Sequence, residues 1–269
     1  MAKYSAAGVH TVLVTCTGGE AGEILNPAMD RAEVLENLHA VRMDELRRAT
    51  DIIGYDEVVL LGYRDSGMPA TPFNEDPACF AKADLDEAVG RLVAIIRRTR
   101  PQVIITYGDD QQGYPHPDHL RVHDITLPAF EKAADPEAYP EAGEPWQPLK
   151  MYYSAWSRAR MLATHDKFVE LGLKSPYDEK WFDRPSQDDR ITTKIDIADY
   201  NDVRREALLA HATQIDPESP FWFGLPPDVS RTVYPIEDWV LARSLVDGPS
   251  SPQGFEDDIF AGIRETADR

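Results

Sequence analysis

An α/β protein with a doubly wound, mostly parallel sheet is predicted by three observations. Short β-branched apolar runs alternate along the chain with amphipathic helical stretches. The runs are continuous rather than alternating, as in strands covered on both faces. Each run also breaks into a loop rich in glycine or charge, where such folds gather their ligands.

Val12-Leu-Val-Thr-Cys16 is the first such strand, and it stops at Thr17-Gly18-Gly19. A helix is expected over 31–53, where Leu35, Leu38, Val41, Leu46, Ala49 and Ile53 recur at helical spacing and Gly54 suits the C′ position. Val58-Val-Leu-Leu61 is a second strand and leads into Arg64-Asp-Ser-Gly-Met68. The clearest helix spans 84–100, with Leu85, Val89, Leu92, Val93 and Ile96 on one face, Asp84 as cap and Pro101 beyond the end. Val103-Ile-Ile-Thr106 follows as a strand, 117–133 as a helix that tolerates Pro117 in its first turn, and Lys150-Met-Tyr-Tyr-Ser154 as a fourth strand. Beyond residue 157 the pattern loosens into proline and aromatics (Trp181, Phe182, Phe221, Trp222, Phe223, Trp239), with one further helix near 199–213. The expected organisation is an α/β core over 1–157 and an irregular C-terminal cap over 158–269 within the same domain.

The 269 residues suffice for a sizeable core, and the 42% hydrophobic content is that of an ordinary globular chain. No apolar stretch approaches the roughly 20 residues of a membrane span. Met1-Ala-Lys-Tyr-Ser5 carries no apolar signal region, so a cytoplasmic protein is expected. Forty-seven acidic against 28 basic residues give a net charge of −19. That balance repels a phosphate backbone and argues against nucleic acid as a partner. Cys16 and Cys79 are expected as reduced thiols, Cys16 as a small buried side chain.

The most informative segment is Pro115-His-Pro-Asp-His119, delivered by the Val103–Thr106 strand to the start of a helix. Two imidazoles three residues apart, bracketing Asp118, can bind a metal, move a proton or pack. A sensible division makes one histidine a metal ligand and the other a proton donor held by a carboxylate. His123, one turn beyond His119, is a candidate second ligand and equally a packing residue. The loop Thr17-Gly-Gly-Glu-Ala-Gly-Glu23 lacks the Lys-Ser/Thr of a phosphate loop and the G-x-G-x-x-G order of a dinucleotide fold. Its glutamates suit hydroxyl groups, as on a sugar, better than phosphate. Arg42 and Asp65 occupy comparable places and read equally as structural.

Four strings taken together carry a resemblance. Thr17-Gly-Gly-Glu-Ala-Gly-Glu-Ile-Leu-Asn-Pro-Ala-Met-Asp30, Arg64-Asp-Ser-Gly-Met68, Gly113-Tyr-Pro-His-Pro-Asp-His119 and His211-Ala-Thr-Gln-Ile-Asp-Pro217 resemble the zinc-dependent N-acetylglucosaminyl-inositol deacetylase (LmbE-like) superfamily. The resemblance runs from Met1 to Phe260-Ala-Gly-Ile263. Glu23–Asp30, Pro115 and Ile215-Asp-Pro217 favour its actinobacterial branch of detoxifying amidases, which hydrolyse mycothiol S-conjugates to a mercapturic acid and glucosaminyl-inositol. The sibling branch removes acetate in mycothiol biosynthesis. The resemblance implies His119 as the ligand of one Zn2+ ion. It implies His116 as the protonated histidine that stabilises the oxyanion, oriented by Asp118, and Tyr114 as a mobile tyrosine beside the scissile carbonyl. Glu23, Arg42, Asp65 and Met68 would hold the glucosamine-inositol moiety.

The family's opening His-Pro-Asp-Asp-Glu motif, which brings two zinc ligands and the general base, has no counterpart in these residues. Met1–Val9 matches the second half of the helix that follows it. The expectation is therefore a sheet without its first strand, from a start at an internal methionine. A catalytically dead binder of the same small molecule is the alternative for the chain as written.

Overall fold

The computed structural model describes residues 1–111, 114–246 and 254–263. They form a mixed α/β architecture whose strands fall into two sheets, β1-β2 and β3-β4-β6-β5. The strands are β1 Val12–Thr17, β2 Glu57–Tyr63, β3 Val103–Thr106, β4 Lys150–Ala155, β5 Thr193–Asp196 and β6 Ile236–Ser244. The chain divides into two compact units: Met1–Phe80 with Arg160–Asp183 and Ile197–Pro235, and Ala81–Ala159 with Arg184–Asp196 and Ile236–Arg269. Among the described residues no helix is long and apolar enough to cross a membrane.

In the first unit β1 and β2 pair in parallel, Val12 opposite Glu57 through Thr15 opposite Leu60. The buried character expected of these strands holds for Cys16 and Leu61, whereas Leu60 is 45% exposed. A two-stranded ribbon offers too little area to be covered on both faces. The helix expected over 31–53 is two, Ala32–Glu36 and Leu38–Ile53. Asn37 breaks it: its side-chain amide donates to the Glu33 carbonyl at 3.0 Å, in competition with the backbone ladder. Gly54 ends the second helix in the left-handed conformation, φ +87°.

The helix near 199–213 is shorter, Asn201–Ala210. The backbone N–H of Thr213 is drawn out of any helical ladder by the Glu45 carboxylate at 2.7 Å. The aromatics of this unit pack on one another: Tyr177 is buried, and the rings of Trp181 and Phe221 and of Phe221 and Trp222 lie 5.7 and 4.8 Å apart.

In the second unit β3 and β4 are parallel, while β6 runs antiparallel to both β4 and β5. Phe130, Met151, Tyr153 and Val240 form its apolar centre, with Ile104, Leu127, Ala155 and Ala242 against them. Asp84 caps the Leu85–Thr99 helix by accepting from the Glu87 N–H at 2.9 Å, and the next helix is Pro117–Lys132.

β5 and β6 escape a reading based on continuous apolar runs, because Glu237, Asp238 and Arg243 interrupt β6. Asp238 is nevertheless 1% exposed, taken up by Lys194 at 3.2 Å and by the Ser157 hydroxyl at 2.5 Å. Residues 158–269 thus hold two strands of the larger sheet as well as irregular segments.

Candidate functional site

Three of the four motif segments meet in the first unit, and one helix braces them. Arg42 and Glu45 stand one turn apart on Leu38–Ile53, 8% and 1% exposed. The Arg42 guanidinium donates to the carbonyls of Gly19, Gly22 (3.0 Å) and Glu23 (3.1 Å), so it holds the loop after β1 by its backbone. Burial pushes this guanidinium below its ordinary value, against the pull of Asp65, Glu45 and Glu20. Gly22 leaves room for this guanidinium, since a β-carbon there would displace the Arg42 Nη1 atom.

The loop after β2 is tied to the same place by a reciprocal pair. The Asp65 N–H donates to Glu20 Oε1 at 3.0 Å, and Asp65 Oδ2 accepts from the Ala21 N–H at 3.3 Å. Asp65 Oδ1 accepts from the Gly67 N–H at 2.8 Å, which fixes the turn. The third segment follows the Asn201–Ala210 helix. Thr213 gives both its N–H and its hydroxyl to Glu45, each at 2.7 Å, and its carbonyl accepts from the N–H of Leu25 at 2.8 Å. Gln214 Nε2 reaches the Glu23 carbonyl at 2.6 Å. Glu23 and Met68, singled out from sequence as sugar contacts, leave their side chains exposed at the surface of this arrangement. Arg42 and Asp65 lie beneath them, buried and engaged with backbone.

The fourth motif lies in the second unit. His116 is the N-cap of Pro117–Lys132, and its Nδ1 accepts from the Asp118 N–H at 3.2 Å. A neutral His116 in this geometry therefore carries its proton on Nε2. A ring nitrogen of His116 and a carboxylate oxygen of Asp118, which is 7% exposed, lie within 4.8 Å of each other. The His116 and His119 ring centroids are 5.0 Å apart, and the exposed Tyr114 ring is 6.0 Å from His116 and 5.4 Å from His119. Four of the residues singled out from sequence (Tyr114, His116, Asp118, His119) are thus together.

Tyr107 had no sequence signal beyond its place after a strand. Its ring lies flat on His119, centroids 4.2 Å apart at 13°, and its hydroxyl meets His119 Nε2 at 3.2 Å. His123 turns the other way: its Nδ1 meets the Tyr107 carbonyl at 3.2 Å and its ring packs on Tyr153, which is the packing alternative for this residue. Arg190 Nη2 donates to both carboxylate oxygens of Asp109, at 2.7 and 3.0 Å. Burial acts to raise the Asp109 carboxyl, but the Arg190 contact prevails and holds it below the usual range.

Residues 1–130 match the family described as PIG-L, GlcNAc-PI de-N-acetylase. A relative from Streptomyces coelicolor named mycothiol S-conjugate amidase is 48% identical over 277 residues, covering 99% of this chain and 92% of the relative. A 1D-myo-inositol 2-acetamido-2-deoxy-alpha-D-glucopyranoside deacetylase from Frankia alni is 41% identical, covering 98% and 94%. Among solved structures, N,N'-diacetylchitobiose deacetylase from Pyrococcus horikoshii shares the fold with a TM-score of 0.58 at 16% identity, covering 89% of this chain and 75% of that one. A conserved protein of Thermus thermophilus does so at 0.56 and 20% identity, covering 93% and 89%. With relatives above 40% identity along nearly its whole length, the chain belongs to the PIG-L de-N-acetylase family and is a hydrolase of amide bonds.

Proposed function

We propose that this protein hydrolyses the amide joining an S-substituted acetylcysteine to glucosaminyl-inositol in mycothiol conjugates. The observation that carries this reading is the 48% identity to a mycothiol S-conjugate amidase across 99% of the chain. In this reading Glu23, Asp65 and Met68 contact the glucosamine-inositol moiety, and Arg42 serves them through the loop backbone it holds.

The Pro117–Lys132 start supplies one imidazole of the kind zinc takes, His119, whereas a catalytic zinc takes three protein ligands and the motif that brings the other two has no counterpart in these residues. An ion held in part by His119 would polarise a carbonyl and make water a nucleophile at neutral pH. His116 offers Nε2–H as a hydrogen-bond donor to the carbonyl oxygen as charge develops there. Capping fixes this tautomer, because Nδ1 is occupied by the Asp118 N–H. Tyr114, exposed beside both rings, can swing over a bound amide.

The test is amine release from an S-conjugate of mycothiol and, in parallel, from N-acetylglucosaminyl-inositol, with zinc supplied. Faster turnover of the conjugate supports the amidase. Preference for the acetylated sugar assigns the protein to the deacetylases, and binding of glucosaminyl-inositol without turnover of either makes it a binder.

A further inference from the structure

We propose that Glu45 is a positioning residue for substrate, acting through Thr213 and the 23–26 segment on Glu23. The proposal rests on the reading of Glu23 as a sugar contact.

Glu45 is 1% exposed, and a carboxylate is costly to bury unless each oxygen is engaged. Both are, and by one residue 168 positions away: Oε1 accepts from the Thr213 N–H and Oε2 from its hydroxyl, each at 2.7 Å. An apolar side chain would fill the same volume without that cost, so the carboxylate specifies a backbone path more than it adds stability. The path leads outward. The Thr213 carbonyl accepts from the N–H groups of Leu25 at 2.8 Å and Asn26 at 3.3 Å, while the Asn26 side chain donates to the Ala212 carbonyl at 2.8 Å.

Gln214, next in the chain, donates to the Glu23 carbonyl at 2.6 Å, where Arg42 Nη2 also donates at 3.1 Å. The two charged residues of one helix turn therefore converge on Glu23, Arg42 directly and Glu45 through the Thr213–Gln214 segment. Its backbone is held from two sides while its side chain stays exposed. Glu45 is in this sense a remote determinant of where that carboxylate stands.

Glu45→Gln can keep both bonds, its amide oxygen accepting from the Thr213 N–H and its NH2 donating to the hydroxyl. Glu45→Ala keeps neither, and Thr213→Val loses only the hydroxyl bond should Glu45→Ala fail to fold. Two readouts decide: binding of glucosaminyl-inositol by calorimetry, and hydrogen exchange at the Leu25 and Asn26 amides. Glu45→Ala should weaken binding roughly tenfold, with faster exchange at both amides, as expected when a contact is misplaced rather than removed. Thr213→Val should do less, and Glu45→Gln should restore most of both. With a conjugate as substrate, KM should rise and kcat hold. A folded Glu45→Ala protein with unchanged binding and exchange overturns the inference. A wild type that binds no glucosaminyl-inositol overturns the functional reading instead, and exchange at Leu25 and Asn26 then shows separately whether the latch exists.

Discussion

Tyr107 lies flat against His119 and touches its Nε2 through the phenol hydroxyl, so a residue at the end of β3 sets the orientation of an imidazole on the following helix. The stack and the hydrogen bond are separable. Tyr107→Ala should lose both and cost about 0.5–1.5 kcal/mol for the ring pair. Tyr107→Phe should retain most of that stability in urea unfolding while removing the hydroxyl contact to Nε2. A Tyr107→Ala protein as stable as wild type would show that the stack carries no energy.

Lys150 and Glu256, 2.7 Å apart with side chains 0% and 9% exposed, form a buried ion pair in the second unit. Glu256 also takes the hydroxyls of Tyr152 at 2.6 Å and Thr193 at 2.9 Å. Glu256→Ala strands an ammonium group in the interior, and about 3–5 kcal/mol of stability should go with it. Combining it with Lys150→Met should recover part of the loss. Equilibrium unfolding of the three variants checks the order.

Gly22→Ala should act through Arg42. The added β-carbon overlaps Nη1, so the guanidinium has to shift against the carbonyls of Gly19, Gly22 and Glu23, at about 1–3 kcal/mol. Arg42→Lys keeps the charge without the planar fork and should loosen the same loop. Thermal unfolding gives the stability change, and limited proteolysis within 17–26 reads the loop.

His211 makes stability depend on pH. Burial pushes its imidazole below the ordinary value; Glu45 opposes this, and Arg42 and Arg48 reinforce it. The unfolded chain then binds a proton at higher pH than the folded one, so stability rises with pH across the interval between the two values. It should be complete above the ordinary histidine value of 6.5 and fall as the solution is acidified below it. His211→Gln should flatten the curve from pH 7 to 5 relative to wild type, measured by urea midpoints.

Much of this molecule is written in local pattern. β1 to β4, the Leu85–Thr99 helix and its Asp84 cap, the Gly54 terminus and the histidine turn all stand where periodicity and capping chemistry place them. The residues of the histidine turn were legible because their contacts are close in sequence: His116 reaches Asp118, and the Tyr114 ring meets that of His119 five residues on.

What sequence could not show was every relationship whose partners are distant. Asp238 and Glu256 carry no local signal of burial, yet both are buried, met by Lys194 of β5 and Lys150 of β4. Arg42 read as structural from its place alone and as a substrate contact from the resemblance, and sequence did not show that its guanidinium donates to the carbonyls of Gly22 and Glu23. Glu45 carried no signal at all, since a glutamate on a helix is ordinarily a solvated one. β1 to β4 and the capped helices follow from nearest-neighbour sterics and hydrophobic period, and so are legible in the order of residues. Which charges are buried is not legible there, because desolvation is a property of the assembled surroundings.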